Sequence, residues 1–107
     1  MIIMEDIKKE ILRFQKERDW KKFHTPENLA KSISIEAAEL LEHFQWQMEY
    51  DENEVAEELA DVLIYCIYMA DAMDFDIKEI ILDKMEKNAL KYPVDKSKGN
   101  AKKYTEL

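Results

Sequence analysis

The chain has 107 residues, 47% apolar and 37% charged, with one Gly, two Pro and one Cys. That size suits one domain over residues 1–107 and excludes two ordinary ones, while the composition excludes collagen-like, Pro/Gly-rich and disulfide-framework proteins. A net charge of -8 argues against a nucleic acid polymer as partner.

Few breakers and a high apolar fraction favour long helices. Apolar groups at Ile7, Ile11, Leu12 and Phe14 mark a first helix between Met4 and Asp19, after which Asp19 to Thr25 breaks the pattern. Thr25-Pro26 is a helix start, so a second helix is predicted from Pro26 to about Met48. Asp51 followed by Glu54 has capping-box spacing and opens a third helix reaching about Met73. Asp76 and Glu79 repeat that signal for a fourth, which ends near Tyr92 because Pro93 cannot continue it. Residues 94–107, with four Lys and the only Gly, read as a non-helical basic tail.

The fold class predicted is all-α, an antiparallel four-helix bundle. The third helix is apolar over most of its circumference, at Val62, Leu63, Ile64, Cys66, Ile67, Ala70 and Met73, and is expected to be central, with Cys66 a packed thiol. Four helices cannot cover it on every side, so a homodimer or homotetramer is expected to complete the core. The longest uncharged run there, Val62 to Ala70, has nine residues, against the roughly 20 that span a bilayer, so no membrane partner is expected. A lone Cys and the absence of a signal-peptide pattern make the cytoplasm the expected location.

Charge is unevenly placed. Eleven acids and one base lie between Glu27 and Asp61, whereas Lys84 to Lys103 holds seven Lys against two acids. At about 100° per residue, Glu36 and Glu39 share one stripe of the second helix with His43 and Trp46. Glu58 and Asp61 form a matching pair on the third, ahead of Tyr65, Tyr68 and Met69. Such carboxylates at the head of an apolar strip repel one another and lose hydration unless paired, and Lys31 is the only base in the stretch. An all-oxygen quartet suits a hard ion, Mg²⁺, with Mn²⁺ compatible. Zinc and di-iron fit poorly, because His24 and His43 follow Lys21 and Leu40 at three residues, so no Glu-x-x-His pair exists. Open positions on Mg²⁺ suggest a phosphate substrate.

Glu36-x-x-Glu39, eighteen residues, then Glu58-x-x-Asp61 resembles the signature of the all-α nucleoside triphosphate pyrophosphohydrolases, the MazG-like family. The stretches ERDWKKFHTPENL (17–29), EAAELLEHFQW (36–46), EELADVLIY (57–65), KMEKNALKYPV (84–94) and KYTEL (103–107) are similar to its dCTP pyrophosphatase branch. The resemblance implies hydrolysis of a (deoxy)nucleoside triphosphate, dCTP or a modified dCTP, to the monophosphate and pyrophosphate, for cleansing of the nucleotide pool.

By the same resemblance Glu36, Glu39, Glu58 and Asp61 are metal ligands. Ile35 stands where many members carry a further Glu, so the water-activating carboxylate is sought first at Glu39, then at Glu42 and Glu57. Trp20, His24 and Trp46 match positions that enclose the base, Tyr65 one that packs on the sugar, and Lys84 and Asn88 positions for phosphate or sugar, with Tyr92 one turn beyond. Each also has an ordinary reading. Trp46 and Tyr65 suit a core, His24 a turn, and Lys84 and Asn88 a surface helix. Rival functions are the same chemistry on dUTP or dATP, or a non-catalytic helical interaction module.

Overall fold

The structure is a computed structural model that describes residues 4–46 and 49–106. Among the described residues every regular element is helical, as the composition leads one to expect. The chain divides into two compact units, Met1–Asp74 and Phe75–Leu107.

In the first unit α1 spans Met4–Glu17, with Glu5 and Asp6 in its first turn and Lys16 in its last, complementing the helix dipole. It ends without glycine. Asp19 takes a left-handed conformation (φ 55°), its N–H bonding Lys16 O at 3.0 Å while Trp20 N–H bonds Gln15 O at 3.1 Å. These are the paired bonds of a Schellman motif, and Asp tolerates that backbone region better than most side chains. A 3₁₀ turn over Lys21–Phe23 follows. Thr25 then caps α2 (Pro26–Gln45), its Oγ1 accepting from Asn28 N–H at 3.2 Å. The helix end predicted at Met48 lies outside the described residues.

Asp51 caps α3 (Glu52–Ala72), accepting from Asn53 N–H at 2.8 Å and Glu54 N–H at 3.3 Å. Helices α2 and α3 are antiparallel. Near one end His43 Nδ1 lies 3.7 Å from Glu54 Oε2, and at the other His24, just before α2, stacks on Tyr68. This pair carries most of the tertiary packing of the unit, and α1 packs on α3. Leu29 is completely buried, with Ile67, Tyr68 and Ala70 beside it in the core. Burying a Leu contributes roughly 1.5–3 kcal/mol, so Leu29 is a principal anchor of the hairpin.

The third helix is less enclosed than its composition predicts. Ile67, Tyr68 and Ala70 are buried, but Leu59, Leu63 and Met73 are 47%, 55% and 44% exposed, and Cys66 is exposed rather than packed. The neighbours of α3 in this unit cover one side of it and leave the other apolar side open.

In the second unit Asp76 caps α4 (Ile77–Lys91) by accepting from Glu79 N–H at 2.9 Å. The tail predicted as non-helical is partly helical: α5 covers Val94–Ser97 and a 3₁₀ turn covers Tyr104–Glu106. Pro93 does stop α4, yet its carbonyl accepts from Lys96 N–H (3.1 Å) and Ser97 N–H (2.9 Å), and so opens a new turn. No described helix is long and apolar enough to cross a membrane.

Candidate active site

The pattern that places Glu36 and Glu39 three apart on α2, and Glu58 and Asp61 three apart on α3, acts because the two helices are antiparallel neighbours. Carboxylate oxygens of Glu36, Glu58 and Asp61 all lie within 4.8 Å of one another. Glu39 stands beside Glu36 and Glu58, half-buried like both of them. The predicted quartet is thus assembled, with three members in one cluster and the fourth adjoining.

The cluster is electrostatically unsatisfied. Oε2 of Glu36 and Oε2 of Glu58 are buried and have no hydrogen-bond partner among the described residues. Burial is the largest cause pushing the Glu36 carboxyl up to about 7; the neighbouring carboxylates of Glu39, Asp61 and Glu58 add to it. Glu58 is raised by burial and then by Glu39 and Asp61, with His43 opposing. A buried acceptor without a donor is costly, and a cation satisfies several at once. The donor set is all oxygen, which fits a hard divalent ion.

Glu36 and Asp61 also line a cavity of about 530 Å³, whose wall continues through Trp20, Tyr65 and Tyr68. Ile11, Phe14 and Ile64 add apolar surface, and Glu10 a further carboxylate. That volume falls within the ~300–1,000 Å³ usual for small-molecule sites, which are mostly apolar with a few convergent polar groups. Tyr65 is held in its phenol form by burial first and by the nearby Glu36, Asp61 and Glu39 charges second.

The other predicted residues are distributed as follows. Trp20 lines the cavity and is 41% exposed. His24 is half-buried behind it, its Nδ1 2.7 Å from Gln15 Nε2. Trp46 caps the end of α2 at 82% exposure and does not line the cavity, so the core reading of this residue fails. Lys84, Asn88 and Tyr92 belong to the second unit. There Lys84 is exposed, the Asn88 carbonyl accepts from Tyr92 N–H at 2.8 Å, and the Tyr92 ring meets Tyr104 edge-on at 6.2 Å.

Sequence reasoning placed Ile11, Phe14, Ile64 and Tyr68 on helix faces without assigning them to a site, and passed over Gln15. The signal was present: Gln15 is the polar residue on the α1 stripe of Ile7 and Ile11, at the same four-residue step.

Known proteins bear on this site. The family model described as MazG-like matches residues 31–107. dCTP pyrophosphatase 1 of Mus musculus is 39% identical over 114 residues, covering 97% of this chain and 67% of the relative. The Homo sapiens protein of that name is 36% identical over the same shares. Among solved structures, a pyrophosphatase from Archaeoglobus fulgidus is 47% identical with a TM-score of 0.76, over 84% of this chain and 92% of that one.

Proposed function

Because the chain belongs to the MazG-like family, we propose that this nucleoside triphosphate pyrophosphohydrolase cleaves dCTP, or a modified dCTP, to the monophosphate and pyrophosphate with Mg²⁺ as cofactor. The observation that carries this reading is the carboxylate cluster with two orphaned buried oxygens, sharing a wall with an aromatic cavity.

Glu36, Glu39, Glu58 and Asp61 are the residues that hold the cation, for which Mn²⁺ can substitute. When bound, it supplies positive charge against phosphate oxygens and acidifies water. Glu39 is the general base, taking a proton from the attacking water; it lies beside the cluster without being one of its three gathered members. Trp20, with Tyr65 from α3, lines an aromatic cavity that receives base and sugar, since aromatic faces stack on any base. His24 backs this wall, touching Trp20, Tyr65 and Tyr68, and Trp46, outside the cavity lining, is the base contact that the family resemblance adds. On α4, Lys84 and Asn88 serve phosphate and sugar, with Tyr92 one turn on, because positive charge counters what develops on phosphate oxygens during phosphoryl transfer.

The proposal extends to assembly. Leu59 and Leu63 on α3, Met73 just past its end, and Leu41 and Phe44 on α2 are all more than two-fifths exposed, an apolar extent that favours a self-associating homodimer or homotetramer. The two units act as one domain, supported by a family match that crosses from one into the other. The setting proposed is the cytoplasm, and the role cleansing of the nucleotide pool.

The deciding experiment incubates the purified protein with Mg²⁺ and a panel of canonical and modified nucleoside triphosphates, with products read by phosphorus NMR. Monophosphate plus pyrophosphate, with dCTP or a modified dCTP preferred, is the expected result. Orthophosphate plus diphosphate overturns the cleavage position, and preference for dUTP or dATP overturns the substrate.

A further inference from the structure

Gln15 has no part in the reaction just described, yet it is only 3% exposed and is the buried polar side chain of the described core. A buried amide is retained at a cost unless its hydrogen bonds are made. Here the backbone and the side chain of Gln15 each bond a residue on the aromatic side of the cavity. The backbone carbonyl accepts from Trp20 N–H at 3.1 Å, and side-chain Nε2 lies 2.7 Å from His24 Nδ1. An amide nitrogen only donates, so Nδ1 is the acceptor and the imidazole proton resides on Nε2.

His24 in turn touches the cavity's aromatic residues. Its ring stacks on Tyr68 with centroids 5.0 Å apart and meets Tyr65 edge-on at 6.1 Å and Trp20 edge-on at 6.3 Å. Trp20, Tyr65 and Tyr68 line the cavity, whereas His24 and Gln15 stand outside its lining. We propose that Gln15 is a positioning residue for the aromatic wall: it fixes His24 as the neutral, Nε2-protonated imidazole and, through His24, shapes the cavity for a flat ring. The functional part of this rests on the reading of the cavity as the base site. Burial acts in the same sense, disfavouring the imidazolium.

The test uses the full chain with Gln15→Met, which keeps length and removes the donor, and Gln15→Glu, whose carboxylate accepts from Nδ1 and so reverses the hydrogen bond. Nitrogen-15 NMR of the histidine rings at pH 8 reads the tautomer, contacts between the His24, Tyr68 and Trp20 rings are read by nuclear Overhauser effects, and kinetics separate KM from kcat. In the unaltered protein His24 is expected to carry its proton on Nε2. In Gln15→Met both tautomers appear, the ring contacts weaken, and KM for dCTP rises about five- to tenfold while kcat stays within about twofold. Gln15→Glu moves the proton to Nδ1 and leaves KM raised, and recovery of KM with the proton on Nδ1 overturns the tautomer part of the proposal. A proton on Nδ1 in the unaltered protein, or ring contacts and KM unchanged in Gln15→Met, overturns the proposal. If the unaltered protein turns over no nucleotide, the reaction reading fails by itself, and the tautomer and ring contacts still decide the role of Gln15.

Discussion

Glu36 on α2 and Glu58 on α3 each bury an Oε2 atom that accepts no hydrogen bond from the described residues. Two helices thus bring their most costly groups to one place, where the fold supplies carboxylates and almost nothing to neutralise them. Protons or a cation must do so.

Proton uptake makes the first prediction. The Glu36 carboxyl sits near 7 in the fold against an ordinary 4.5, with Glu39 on its own helix and Glu58 and Asp61 on α3 facing it. Between those values the folded protein binds more protons than the unfolded chain, so stability is greatest at the acid end and is lost as pH rises through about 7. Urea unfolding at pH 5, 6, 7 and 8 without divalent cations is expected to show that fall, flattened in Glu36→Gln. Added Mg²⁺ restores stability at pH 8, since the cation neutralises carboxylates that have lost their protons.

Asp61 is the exposed member of the three-carboxylate cluster. Asp61→Asn is expected to abolish metal-dependent turnover while raising the melting temperature measured without metal, because one source of repulsion on Glu36 and Glu58 is gone. Full turnover by this variant shows that the ligand assignment is wrong.

The two tryptophans separate by exposure. Trp46, 82% exposed at the end of α2, is expected to be replaceable by Ala within about 0.5 kcal/mol of stability. If it stacks on the base, nucleotide binding weakens by about 1–3 kcal/mol. Trp20→Ala removes a wall of the cavity and is expected to raise KM. Melting curves and titration calorimetry of both variants check the pair, and unchanged affinity in both refutes the stacking assignment.

Leu63 is 55% exposed on the open side of α3. In an isolated chain Leu63→Asp has little to disrupt, whereas in a self-associated assembly it places a charge inside an apolar interface. Light scattering after size exclusion is expected to show an oligomer for the unaltered protein and a smaller species for the variant. A monomer in both cases rules the assembly out.

Much of this was legible beforehand. Helix starts could be read because Thr25, Asp51 and Asp76 cap by a local rule, a side-chain oxygen reaching an N–H two or three residues on. The carboxylate quartet could be read because helical periodicity puts residues three apart on one face. The turn at Val94–Ser97 could not, since Pro93 ends one helix and starts another with the same carbonyl-bearing residue. Enclosure of Cys66 was expected from composition, but exposure depends on which neighbours are present, and those described leave that side of α3 open.

The helical class, the caps and the two acidic pairs are products of interactions within a few residues and stand in the residue order alone. The convergence of Glu36, Glu58 and Asp61 within 4.8 Å, the reach of Trp20 into their cavity while Trp46 stays outside it, and the tie of Gln15 to His24 come from packing. Those relations depend on how α1, α2 and α3 are aligned against one another, and local periodicity carries no information about that alignment.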